Sequence, residues 1–153
     1  MRRKDRQKDA TFALEVFRDC EYATLATVNP DGTPYCMPIS PVLNDTTIYF
    51  HCALEGKKLT NIQHNNAVCI SAVRYTKLVP EKFTTEYESA VAIGSCVMVQ
   101  DPEEKKMALR LICDKYAVEN KANAEDAITR SLPRTGIGKI LITEITGKAN
   151  RGA

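Results

Sequence analysis

The chain has no tryptophan, only two histidines, and no C-x-x-C pair among its six cysteines. Without closely paired cysteine ligands the usual zinc spacings are missing, which argues against a metal site. A charge excess of either sign is missing too: 21 Lys and Arg stand against 19 Asp and Glu, a formal net charge of +2. Binding to a phosphate backbone calls for a basic excess on one face. Single strands call for clustered aromatic platforms, and aromatics are 7% of this chain. Nucleic acid is therefore not an expected partner. No apolar run approaches the ~18 residues of a membrane span. The basic leader MRRKDRQK has no apolar h-region behind it, so it reads as a solvated first helical turn or frayed end rather than a signal peptide. A cytoplasmic protein without membrane association is the expectation.

Catalytic fingerprints are equally sparse. Neither G-x-x-x-x-G-K-[ST] nor G-x-G-x-x-G occurs, and no Ser-His-Asp or Cys-His spacing argues for nucleophilic catalysis. Cys69 in AVCISAV and Cys96 in GSCVMV sit inside strand-like runs, where a thiol behaves as a small hydrophobe. The six cysteines (Cys20, Cys36, Cys52, Cys69, Cys96, Cys113) are thus expected to be reduced and buried.

What is present is one compact domain's worth of chain, residues 1–153, with 44% hydrophobic residues. Phe12, Ala13, Val16 and Phe17 recur at helical spacing. Two β-rich runs then flank Asn29-Pro30-Asp31-Gly32, a hairpin signal. A second turn at Asn44-Asp45 leads into TTIYFHC. The segment Leu54–His64 has a helical stripe of Leu59 and Ile62, with Asn65-Asn66 as its left-handed stop. AVCISAVRYTKLV and YESAVAIGSCVMVQ read as long strands. Asp101-Pro102-Glu103-Glu104 opens a helix through Met107, Leu111, Ile112 and Tyr116. A loop over 131–138 precedes a last strand, KILITEITGKA. Five or six strands joined by short turns favour a small antiparallel barrel over a parallel βαβ sheet.

One stretch carries a chemical suggestion. In YFHCALEGKK, a strand end at Phe50-His51 is followed by Gly56 and then Lys57-Lys58 at a helix start. Unpaired N–H groups, the positive end of the helix dipole and two ammonium groups would together form an anion cradle. Gly56 removes a side chain where the anion would approach the backbone. Read alone, Lys57-Lys58 also fits a solvated face, and His51 a half-buried structural ring. His64 suits a helix C-terminus.

The ordered segments ATLATVNPDGTPYCMPIS, IYFHCALEGKKLTNI, NNAVCISAV, YESAVAIGSCVMVQDPEEKKMALRLICDKY and ITEITGKA resemble the pyridoxamine 5′-phosphate oxidase-like split-barrel flavoproteins. The MRRKDR leader, the YFH-A-x-x-G-x-K run and the terminal TGKA resemble their nitroimidazole-resistance (Nim-type) branch. The resemblance implies a mainly β fold with flanking helices, a six-stranded antiparallel split β-barrel. It also implies a homodimer with FMN in clefts between subunits. By position, Met37, Pro38, Ile39 and Ser40 would line the flavin ring through their backbone, and Phe50 and His51 would face the cofactor. Lys57 and Lys58 would hold the phosphate, and Ser89 would lie near the flavin. His51 is the candidate proton donor.

The chain departs from the wider family at Met37, where oxidases carry an arginine. It also lacks their C-terminal Trp-and-Arg substrate segment. A substrate other than pyridoxamine phosphate follows, and the Nim-type resemblance implies nitroaromatic or related small molecules. No nicotinamide fingerprint identifies an electron donor. The competing expectation is a non-catalytic split barrel that holds a flavin, a deazaflavin or haem, with His51 or His64 as axial ligand.

Overall fold

The computed structural model describes residues 2–152; Met1 of the basic leader and Ala153 lie outside them. Four helices flank the strands: α1 (Ala10–Asp19), α2 (Lys57–His64), α3 (Pro102–Tyr116) and α4 (Ala124–Ser131). The strands are β1 (Gln7–Lys8), β2 (Ala23–Val28), β3 (Pro34–Ile39), β4 (Val42–Asn44), β5 (Thr47–Cys52), β6 (Ala67–Val79), β7 (Thr84–Met98) and β8 (Gly136–Asn150). All pairings are antiparallel, in the order β3-β2-β6-β7-β8-β5-β4, and β1 adds to β8. The sheet is an open one of split-barrel type, with β3 at one end and β4 at the other.

Eight strands form instead of six. The additional pieces, β1 and β4, have two and three residues, too short to show a period of two in the sequence. The expected hairpin turn is closed by the Gly32 N–H donating to the Asn29 carbonyl at 2.8 Å. Asp101 caps α3, its carboxylate accepting from the Glu104 N–H at 3.0 Å and from the Glu103 N–H at 3.4 Å.

Three local expectations are corrected. Helix α2 begins at Lys57, not Leu54, because Gly56 holds φ 129°, outside helical space. Asn65 ends it in an extended conformation, φ −146°, rather than a left-handed one; its side chain instead accepts from the Ala67 N–H at 3.0 Å, an Asx turn that redirects the chain. The cysteines are all free, but Cys36 is exposed, since alternation on β3 sends it to the solvent side.

Two apolar clusters share the sheet. Leu25, Ile48, Phe50, Ile70 and Ile140 form the first with Val16 and Phe17 of α1. Tyr49, Ile137, Ala108, Leu109 and Ile128 form the second, beneath α3 and α4. Strand β5 serves both because its side chains alternate: Ile48 and Phe50 face one cluster, Tyr49 the other. Helix α3 is held to this second side by Glu104, whose Oε1 accepts from Tyr49 Oη (2.8 Å) and Lys139 Nζ (2.6 Å).

Candidate functional site

The unclosed side of the sheet brings the end of β3, the end of β5 and the start of α2 together. A cleft of about 330 Å³ there is lined by Tyr22, Pro38, Ile39, Ser40, His51 and Lys58. As the terminal strand of the sheet path, β3 keeps one edge of backbone N–H and C=O groups free for a ligand.

Each wall is fixed locally. Helix α2 is seated by Asn61, 1% exposed. Its Nδ2 donates to Thr27 Oγ1 (3.0 Å) and Asn29 Oδ1 (2.9 Å), tying the helix to the β2–β3 hairpin. No side chain caps the N-terminus of α2; the Leu59 N–H donates to the Gly56 carbonyl at 2.9 Å, which leaves the Lys57 and Lys58 N–H groups for a ligand. The φ of Gly56 strains any residue with a Cβ, and the space a Cβ would enter is empty. At the other wall, the carbonyl of buried Pro41, next to Ser40, accepts from Lys115 Nζ and Tyr116 Oη, both at 2.8 Å.

The two lysines diverge. Lys58 Nζ lies 5.2 Å from the Phe50 ring centroid and lines the cleft. Lys57 Nζ stacks over Tyr35 at 4.6 Å and lines a neighbouring cavity of about 380 Å³ with Asn29, Pro30 and Asp31. Hydrogen bonds from Thr33 hold the Asp31 carboxyl below its usual range, and the Lys57 charge adds to this.

The strand residues divide by face. Pro38 is exposed and Ser40 half-buried, whereas Ile39 and Met37 pack on the first apolar cluster. Met37 and Ile39 can therefore offer a ligand little beyond their backbone. Phe50 is fully buried in that cluster, and His51, on the opposite face of β5, is exposed. Cys52 and Cys96 lie beneath the cleft; burial raises both thiols, Cys96 to about 12, although the Lys58 charge opposes it. Burial thus disfavours the thiolate form at both positions.

Ser89 is not part of this cleft. It is half-buried on β7, with Oγ donating to the Lys148 carbonyl at 3.4 Å. Its β8 neighbour Lys148 is ten positions from Gly138, the partner of Phe50, a separation of roughly 33 Å at ~3.3 Å per residue. Its face of the sheet also carries exposed Val91 and Ile93.

Tyr22, Tyr35 and Asn61 were not singled out from the sequence. No motif marks them; an Asn inside a helical stripe could have signalled a buried polar tie. A further cavity opens beyond His51, between α3 and α4. Among the described residues no group of three or more His, Cys, Asp or Glu is placed to hold a metal ion, and no helix is long and apolar enough to cross a membrane.

The family model described as pyridoxamine 5′-phosphate oxidase matches residues 9–149. Among solved structures, a candidate 5-nitroimidazole antibiotic resistance protein from Bacteroides thetaiotaomicron is 25% identical. It aligns over 94% of this chain and 89% of its own, with a TM-score of 0.76. An FAD and heme binding protein from Mycobacterium smegmatis is 16% identical over 96% of this chain and 74% of its own, TM-score 0.80. An FAD-binding protein from Mesorhizobium loti is 19% identical over 95% and 98%, TM-score 0.69. The last two likenesses concern the fold alone. A comparison with curated proteins finds no match.

Proposed function

Because the chain belongs to the pyridoxamine 5′-phosphate oxidase family, we propose that it is an FMN-dependent oxidoreductase of a small molecule, a single domain working as a homodimer. The observation that carries this reading is the convergence of Lys58, the glycine-led start of α2 and the free edge of β3 on one cleft. That donor set suits a mononucleotide: a cationic, N–H-rich mouth for a phosphate, and strand backbone for a planar ring with hydrogen-bonding edges. One anion cradle favours FMN over a dinucleotide.

A flavin bound there supplies the redox chemistry, and the protein supplies position and electrostatics. Lys58 and the first-turn N–H groups of α2 hold the phosphate by charge-assisted hydrogen bonds. Backbone groups of Pro38–Ser40 orient the ring, which leaves Met37 and Ile39 free to pack inward. The exposed imidazole of His51 is the group positioned to hold or deliver a proton to a substrate. Lys57 acts through its backbone N–H and general charge, because its ammonium is turned toward Tyr35 and Asp31. Ser89 reaches a flavin only if the outer face of β7 meets a second copy. Likeness to the Bacteroides protein supports nitroaromatic compounds as the substrate class. Six free cysteines support a reducing compartment such as the cytoplasm.

Haem is the second reading, favoured by the exposed imidazole of His51 at the cleft. The absorbance spectrum of the purified protein separates the two: flavin bands are expected, and a Soret band would replace FMN with haem. Lys58→Ala should weaken FMN binding ~10- to 100-fold, the loss of one hydrogen bond to a charged group, and Lys57→Ala should weaken it less. Unchanged FMN affinity in Lys58→Ala would rule out the cradle, and a wild-type protein that takes up no flavin would rule out the function.

A further inference from the structure

The insertion between β7 and β8, residues 102–134, adds no strand to the sheet. What it builds is a cavity of about 360 Å³ on the far side of His51, within the ~300–1,000 Å³ range of small-molecule sites. Its inner wall is apolar, made by Leu109 and Ile112 of α3 and Ile128 of α4. Its outer wall carries Arg130 of α4 and Arg134 of the 3-10 turn, residues 132–134, that follows it.

Charge at this wall is unbalanced. Arg3, Arg74, Arg110 and Arg151 each pair with a carboxylate. Arg130 and Arg134 have no acidic partner among the described residues, and no acidic residue lines the cavity. The nearby Glu125 is engaged by Arg110 through two hydrogen bonds of 2.6 and 2.9 Å, which also clamp α3 to α4. Two guanidiniums without an acidic partner at the edge of an apolar pocket suit a ligand with an apolar body and an anionic end. Arginine's planar fork matches a carboxylate in particular.

His51 lines both this cavity and the cleft with Lys58. We propose that the α3–α4 cavity is the pocket for the second reactant, a molecule with a one-ring apolar body and a single carboxylate. Its body lies against Leu109, Ile112 and Ile128 with the anion at Arg130 and Arg134, so that its far end reaches His51. The role as second reactant rests on the flavin reading above; the recognition of an apolar carboxylate does not.

Titration calorimetry with 4-nitrobenzoate and with nitrobenzene tests it, on wild type and on Arg130→Ala, Arg134→Ala and Lys58→Ala. Both arginines are exposed, so their variants should fold as wild type does, which circular dichroism checks. The carboxylate should bind more tightly than nitrobenzene, and each arginine variant should lose ~10- to 100-fold in affinity for it. Lys58→Ala should keep that affinity. No preference for the carboxylate, or unchanged affinity in both arginine variants, would overturn the pocket. Arginine-dependent binding in a protein that takes up no flavin would uphold the pocket while overturning the flavin reading.

Discussion

At the residue scale, Phe50 and Gly138 show how tightly the core beneath Lys58 is packed. The Phe50 ring is fully buried and lies directly over Gly138, where an added Cβ would come within 2.2 Å of Cζ. Phe50 cannot swing away, since it stands in the first apolar cluster and carries Lys58 above it. Gly138→Ala should therefore destabilise the protein by ~1–3 kcal/mol, the usual cost of overpacking a filled core, as measured by urea unfolding. Flavin affinity should fall with it, because the ring that supports Lys58 must move. A variant as stable as wild type would mean that the core yields more readily than this packing suggests.

At the element scale, caps and alternation place the chemistry. Strand β5 sends Phe50 inward and His51 outward by its period of two, so neighbouring residues come to serve a core and a site. Helix α3 contributes Leu109 and Ile112 to the arginine-edged cavity and is anchored at both ends. Asp101 caps its start, and Lys115 and Tyr116 reach the Pro41 carbonyl at its finish. Asp101→Ala removes the acceptor for two N–H groups and should cost ~0.5–2 kcal/mol of stability. Differential hydrogen exchange should put the loss in the first turn of α3 and leave β6 and β7 protected.

For the whole molecule, the decisive feature is an apolar outer face that one copy of the chain leaves open. Val73 on β6, Val91, Ile93 and Val97 on β7 and Leu141 on β8 are 39–49% exposed. Paired burial against a second copy would remove them from water and bring a distant part of the sheet, Ser89 included, toward a cleft. Ile93→Asp places a second carboxylate on this face beside exposed Glu144, the β8 partner of Ile93. If the proposed homodimer is built on this face, the variant should run as a monomer by size exclusion with light scattering and retain flavin less well than wild type. A dimer that survives the substitution would put the interface elsewhere.

By itself, the sequence determined the local pieces. Periods of 3.6 and 2 marked α1, α3 and the long strands, Asp101 and Asn29–Gly32 marked a cap and a turn, and the G-K-K run marked a candidate anion mouth. These signals are read within a few residues, where backbone preference and side-chain spacing act. Only the tertiary structure decided that Lys57 and Lys58 part company, that Ser89 lies far from His51, and that Met37 and Ile39 face the core. Only there did Arg130 and Arg134 come to edge a cavity shared with His51. Direction in space depends on which face each element buries against a neighbour distant in the chain, and local spacing carries no record of that neighbour.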